Sequence, residues 1–596
     1  MASQKPIVED GSLKYCTHRI LAAKPGQPAE IELEFTFNSN QLRDEHRLPT
    51  CGDILSFKQY KTEMEIVRKA KVIKIEEGHL KLVAWIWRTT CLNGQEELRR
   101  LTCLEDERVD AYEYFSKFLY TSIARSIENI RCSNFDDFIV PKPNFHVVKK
   151  LFERKRDKFL PMLQSYANLN KEQAMALYSI CTSSHTVYPF ILHGPPGTGK
   201  THTIVATVRC LLEMDPRVRI LLATPSNTAA DLLCVRLYKE LSRSLIKKEE
   251  MLRLRSPNTD FFERNRDLDP ISCIDEELRC FDIPDHSKLI QYRLIISSLG
   301  CTAHLVDRRL RPGFFTHIII DEAGQATESE VWIPVGGLTT KKTSVVLCGD
   351  PKQLGAVYKL EMKQITTEKF GTSLTRYMEQ QNLQSEPRVF CQLVQSYRCH
   401  PAILEIASRL FYDSRLIPQV TGRFEPFENW KALPNKKFPV LFVNVLGKPI
   451  SNSSNSYCNE DEVKVVLWYI ARLIRDDLGI TPSDIGVVSP YSFQTRTMRS
   501  RLDQAGIDPR ALTIDTIERY QGAERKVIIM STVRTGSLGF VANDPRLNTS
   551  ITRAKHLLIV IGHEHTLRRH PSWNTFIDYC KENGSHIQWT GRVKNF

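Results

Sequence analysis

The stretch 188-YPFILHGPPGTGKTHTI-204 decides how the chain folds. A short apolar run of strand character passes through 194-GPPGTGKT-201 into a helical stretch, and that string fits GxxxxGK[ST]. Its glycines let backbone N–H groups wrap phosphate oxygens, while Lys200 is placed to reach the β- and γ-phosphates and the Thr201 hydroxyl to ligate Mg²⁺. Gly194, Pro195, Pro196, Gly197, Thr198, Gly199, Lys200 and Thr201 are therefore the expected cradle for ATP.

A second apolar strand, in 318-IIIDEAGQ-325, delivers two carboxylates at its end. Asp321 is expected to hold Mg²⁺ through water, and Glu322 to position or deprotonate the attacking water. This strand is expected to neighbour the one that enters the phosphate loop. Gln353 in 349-GDPKQL-354, just past another strand end, is a candidate sensor of the γ-phosphate. Arg398 in 397-YRCHP-401 and Arg553 in 551-ITRAK-555 are candidates for meeting the charge of the transition state, where one guanidinium can be worth ~10³ to 10⁵ in rate.

Outward from these strings, short continuous apolar runs alternate with helical stretches: 188–193, 219–224, 316–321 and 344–349, then 439–445, 485–490, 512–515, 526–533 and 557–562. Runs buried on both faces indicate parallel sheets covered by helices. Two groups of runs predict two α/β domains, 166–420 and 421–590, followed by a tail at 591–596. Residues 235–290 carry many charges, with Pro at 257, 270 and 284, and are read as a helical insertion in the first. Upstream, alternation in 31-IELEFTF-37 and short strands in 53–57, 71–77 and 80–87 predict a β-barrel-like domain over 1–104. A helical stalk is predicted over 105–165, including the basic run 147-VVKKLFERKRDKFLPML-163.

The length of 596 residues accommodates such a set, at roughly 100 to 200 residues per domain. With 42% apolar and 25% charged residues the composition is globular. The longest apolar runs stop far short of the ~20 residues a membrane helix needs, and the start lacks the apolar stretch of a signal peptide. The expectation is an intracellular, cytoplasmic protein, with association to ribonucleoprotein granules left open. Sixteen scattered cysteines include no CxxC pair, so no zinc site is expected. The net charge of +13 is compatible with a polyanionic partner.

Taken in order, Gln173 in 169-LNKEQ-173, GPPGTGKT, 224-TPSNTAADLL-233, DEAGQ, GDPKQL, YRCHP, 487-VVSPY-491, 517-IERYQGAE-524 and 547-LNTSITRAKH-556 resemble the motifs of the Upf-like superfamily 1 helicases. The resemblance covers roughly 165–585. Within that group DEAG, the form of 517–524 and the segment 563–584 look most like the Armitage-type RNA helicases, relatives of the Moloney leukaemia virus ten protein. The segment 33–48 resembles their barrel, with Ser39 where arginine is usual. Asn548-Thr549-Ser550 departs from the usual Asn-Val-Ala, a small-for-small change. The zinc-rich module of the nonsense-mediated-decay helicase is missing, so regulation by that route is not expected.

The resemblance implies two tandem RecA-like domains with ATP between them. On it, Gln173 would read the adenine edge, Tyr397 would stack on the base and Glu524 would hold the ribose, with Gln353, Arg398 and Arg553 around the γ-phosphate. It implies 5′ to 3′ movement along single-stranded RNA, and a role in RNA silencing or RNA surveillance. Thr224, Ser226 and Asn227 in the first domain and Pro490, Tyr491 and Thr516 in the second are the candidate RNA contacts, with Tyr491 as the stacking ring. Two other readings stay open: an ATP-gated RNA clamp or scaffold with little unwinding, and a DNA helicase.

Overall fold

In the computed structural model of the protein the described residues are 8–20, 29–38, 54–60, 65–76, 79–88, 99–113, 117–132, 166, 168–182 and 188–591, less 242–244, 258, 260, 262–263, 277–279, 357–371, 381–382, 421–423, 453–455, 477 and 521–523. The basic run 147–163, Ser39 and most of the tail lie outside them.

The four apolar runs of the first group, with three further strands that the pattern did not disclose, Phe390–Gln392, Leu294–Ser298 and Met251–Leu254, form one seven-stranded sheet in the order Phe390–Gln392, Phe190–His193, Ser344–Gly349, His317–Ile320, Ile220–Thr224, Leu294–Ser298, Met251–Leu254. Every pairing in it is parallel. The five runs of the second group, with the further strand His586–Gln588, form a six-stranded parallel sheet in the order Thr513–Thr516, Ile485–Ser489, Arg525–Ser531, Ala554–Gly562, Val440–Asn444, His586–Gln588. Each sheet has an apolar cluster on both faces, which is why its strands read as unbroken hydrophobic runs. These are two RecA-like α/β units.

Four expectations need correction. The strand bearing Asp321 does not neighbour Phe190–His193, because Ser344–Gly349 lies between them. The crossover through the helix Lys200–Met214 skips two positions in the sheet, and later strands fill the gap. Residues 235–290 are not simply helical: Met251–Leu254 is the edge strand of the sheet, and Ile274–Asp275 pairs with Cys280–Phe281. Arg253 disguised that strand. Its guanidinium is fully buried and donates to Asp231 at 2.7 Å, so a residue that reads as solvent-facing is an interior ion-pair partner.

The third correction is at the predicted stalk. Glu107–Glu113 is a strand, and with Val8–Ile20, Ala29–Asn38, Ile54–Gln59, Glu65–Glu76 and His79–Arg88 it closes an antiparallel six-stranded barrel. Alternation does this: Leu33, Phe35 and Phe37 point inward from one strand, and Val109 and Ala111 from the closing one. The helix Lys117–Cys132 then leads to the first α/β unit, where it lies on the helix Glu328–Leu338. The Ser126 hydroxyl donates to the Ile333 carbonyl, and a Cβ on Gly336 would sit 2.3 Å from the Ser126 carbonyl oxygen. Glycine at 336 is what lets these helices approach.

The core of the second unit begins before residue 421. Ile403, Leu404, Ile406 and Ala407, on the helix Pro401–Phe411, pack with Val440, Phe442 and Trp573.

Candidate active site

The phosphate loop emerges from Phe190–His193 and enters the helix Lys200–Met214 with two left-handed residues, Gly197 at φ 74° and Gly199 at φ 88°. Space matters as much as φ. A Cβ on Gly197 would be 2.4 Å from Arg398 Cβ, and one on Gly199 would be 2.5 Å from Gln173 Nε2. Residues 395–398 are thus laid against the loop: Tyr397 N–H donates to the Gly197 carbonyl at 2.9 Å and the Ser396 hydroxyl to the Pro196 carbonyl. Lys200 Nζ donates to the Gly194 carbonyl at 2.7 Å, curling back over the loop it would serve.

Asp321 and Glu322 follow the strand His317–Ile320. Asp321 is buried and accepts the Glu322 N–H through Oδ1 at 2.9 Å. Burial, and then the neighbouring Glu322 charge, raise its carboxyl above the ordinary range, while Lys200 pulls the other way. A divalent cation would reverse that shift. Glu322 holds a left-handed backbone at φ 54°, uncommon for a residue with a side chain, and Gln325 Nε2 donates to its Oε2 at 3.1 Å.

The other wall comes from the second unit. Arg553, buried between the units, donates from Nη2 to Gln353 Oε1 at 2.6 Å and from Nε to the Thr549 carbonyl. Burial, with Arg398 adding to it, lowers its guanidinium to about 10, so it stays charged near neutrality. Glu524 is held from two sides, by Arg398 Nε at 2.5 Å and Lys555 Nζ at 2.7 Å. Burial works to raise the Glu524 carboxyl, but these cations outweigh it and the group sits below its ordinary value.

A single cleft of about 1090 Å³ gathers Lys200, Thr201, Asp321, Glu322, Gln353, Tyr397, Arg398, Glu524 and Arg553, together with 195–199. Two placements differ from the expected roles. Gln173 does not line the cleft: it is 2% exposed, donates to the Thr198 carbonyl at 3.1 Å and accepts the Asn170 N–H, so it braces the loop. Glu524 is already paired to Arg398, so a ribose and a phosphate would have to divide that pair. Tyr397 is 48% exposed, with its hydroxyl accepting from Asn170 Nδ2.

The RNA candidates are placed unevenly. Thr224, Pro490 and Tyr491 are buried, Asn227 and Thr516 half-buried and Ser226 exposed. The Thr224 hydroxyl donates to the Ser226 carbonyl and Asn227 Oδ1 accepts from Arg253, so both shape the loop after their strand. Ser226 lies on the wall of the cleft itself.

Sequence reasoning missed a buried polar network behind the cleft. Asp350 accepts from Gln353 Nε2 at 2.7 Å and from the Tyr412 hydroxyl at 2.6 Å, with His193 Nε2 3.3 Å away. Asn548 Nδ2 in turn donates to the Tyr412 oxygen at 2.7 Å and to the Lys352 carbonyl. Burial opposes the Asp350 charge, yet His193, Lys200 and Tyr412 hold the carboxyl down at about 2. Asp350 stood inside the quoted 349-GDPKQL-354; nothing local marks Tyr412.

Two AAA domain family models match the chain, one at residues 168–280 and 286–361 and the other at 370–565. The putative helicase MOV-10 of Gallus gallus is 34% identical over 459 residues, which cover 70% of this chain and 46% of that protein. The probable RNA helicase armi of Drosophila melanogaster is 30% identical over 545 residues, covering 81% and 44%. The ATP-dependent helicase upf1 of Schizosaccharomyces pombe is 27% identical over 565 residues, covering 88% and 56%. The chain spans about half the length of the curated relatives it matches. With the matched AAA domains forming the two walls of the cleft, the chain belongs to the helicase family that contains MOV-10, Armitage and Upf1.

Proposed function

We propose that the chain is an ATP-dependent RNA helicase or translocase that remodels RNA or RNA–protein complexes. The observation that carries the proposal is the composition of the cleft: the phosphate loop and Glu322 belong to one unit and Arg553 to the other, and Arg553 meets Gln353 across the boundary. A triphosphate bound there has different contacts in the open and closed cleft, which is what a ligand needs to drive a conformational change. Turnover then becomes relative motion of two units that share one strand.

Thr201 and Asp321 would hold Mg²⁺, which neutralises charge on the transferring phosphate. The buried Asp321 carboxylate beside Glu322 fits a cation. Glu322 would take the proton of the attacking water, and Arg553 would meet the charge that develops as the γ-phosphate leaves. Arg398 would join it on releasing Glu524, which frees that carboxylate for the ribose.

RNA as the track rests on relatives named as RNA helicases; 5′ to 3′ direction, a cytoplasmic place in RNA silencing or surveillance, and protein partners in that pathway rest on the motif resemblance. ATP turnover should be stimulated by single-stranded RNA more than by matched DNA, and a 5′-tailed RNA duplex should be displaced in the presence of a trap strand. Stimulated turnover without displacement would leave an ATP-gated clamp. Equal or greater stimulation by DNA would leave a DNA helicase. Lys200→Ala should abolish turnover in every case.

A further inference from the structure

Tyr491, the aromatic next to the strand end Ile485–Ser489, is 3% exposed and packed against Tyr457 and Phe540, each with its ring centroid 5.5 Å away. It cannot present a face to a strand. The ring beyond it can: Phe540 is 53% exposed. We infer that Phe540 is the side chain on which the second α/β unit stacks a base of single-stranded RNA, an assignment that rests on the RNA reading above.

The backbone holds Phe540 in an outward pose. Its N–H donates to the Tyr491 hydroxyl oxygen at 3.3 Å. Gly539 precedes it at φ 56°, and a Cβ there would lie 2.6 Å from that same oxygen. The loop is therefore seated on Tyr491, leaving the Phe540 ring to solvent. At the root of the loop Val533 has φ 71°, strained for a β-branched residue. Glu462 Oε2 accepts its N–H at 2.9 Å and Asn459 Nδ2 donates to its carbonyl at 3.2 Å, so two buried side chains fix the turn. Such over-determination is out of place in a loop that only connects two elements.

The surroundings point to a polyanion. The Arg546 guanidinium lies 4.9 Å from the Phe540 centroid and the Arg534 guanidinium 3.8 Å from that of Tyr457. Arg546 also pairs with Glu518 at 2.8 Å, whereas the bonds of Arg534 are to the uncharged Ser537. An exposed ring rimmed by guanidinium groups is the combination that binds single strands, the ring taking the base and the cations the backbone. Its place agrees. The loop leaves the end of Arg525–Ser531, the parallel neighbour of Ile485–Ser489, so Phe540 stands at the carboxyl edge of the sheet, where open α/β sheets bind ligands.

The test is fluorescence anisotropy with a short labelled oligouridine and with the same sugar–phosphate chain lacking bases, each with wild type, Phe540→Ala and Phe540→Tyr, with a thermal midpoint for each protein. Phe540→Ala should bind the oligouridine roughly ten-fold or more weakly, Phe540→Tyr should bind it as wild type does, and all three should bind the abasic chain alike. Wild-type affinity in Phe540→Ala overturns the inference and leaves the ring to a protein partner. Equal weakening on both chains also overturns it, because the loop and not stacking was lost. Failure of the wild type itself to bind RNA sinks the functional proposal, and this inference with it.

Discussion

Arg553 and Gln353 come from different α/β units and share a 2.6 Å hydrogen bond, Nη2 donating to Oε1. The bond continues inward, since Gln353 Nε2 donates to Asp350, which also accepts from Tyr412. The arginine proposed to meet the transferring phosphate and the carboxamide proposed to sense it are thus oriented by one another and by a buried carboxylate. On the proposed mechanism, a triphosphate that engages either group would shift both, and with them the two units.

On the proposed mechanism, removing Arg553 takes away a charge that would act at the transition state more than in the ground state. Arg553→Ala should lower RNA-stimulated turnover by roughly 10³-fold with little change in the affinity for a fluorescent ATP analogue. Gln353→Ala should lower it less, and the double variant should fall short of the product of the two effects, because each side chain orients the other. An unchanged turnover number for Arg553→Ala would refute a site shared by two units.

Glu322→Gln preserves shape and the bond from Gln325 while removing the proposed base. Turnover should drop by about 10²- to 10⁴-fold with ATP still bound, and the complex with RNA should dissociate more slowly than that of the wild type. Wild-type turnover in this variant would show that Glu322 is not the base.

Tyr412 is the hinge of the buried network, its hydroxyl donating to Asp350 and accepting from Asn548. Tyr412→Phe leaves both without that partner in a buried setting, a loss of about 1 to 3 kcal/mol. Because Asp350 belongs to the first unit and Asn548 to the second, the variant should also lose part of the stimulation of ATP turnover by RNA, read as the ratio of turnover with and without saturating oligonucleotide. A stability loss with an unchanged ratio would make the contact merely structural.

What could be read from the chain alone follows a physical divide. Gly194 to Thr201, Asp321 and Glu322 are positioned by the backbone itself, at strand ends, so contiguous strings disclose their place. Pairings across the fold are another matter. The Met251–Leu254 strand depends on Asp231 to bury Arg253, and Gln173 braces the loop through Thr198 and Asn170. Tyr491 reads like any aromatic at a strand end, and only the distant Tyr457 and Phe540 decide that it is covered. The barrel was legible in the alternation of 31–37, 53–57, 71–77 and 80–87, but not in Val8–Ile20 or in Glu107–Glu113, whose inward set is only Val109 and Ala111.

Glu462 gives a test of the loop that carries Phe540. Its fully buried carboxyl accepts from the Ser531 hydroxyl at 2.6 Å and the Val533 N–H at 2.9 Å. Burial raises it from 4.5 to about 7, more than these bonds lower it. A carboxyl raised in the folded state contributes stability that is full below its unfolded value and is lost as pH rises through the folded one, so its contribution should fade between about pH 4.5 and 7. The loss is on the order of 3 kcal/mol. Glu462→Gln does not titrate, and its stability relative to wild type should rise across that interval in urea unfolding monitored at the second α/β unit. A difference that is flat with pH would show that the Glu462 carboxyl is not raised in the folded protein.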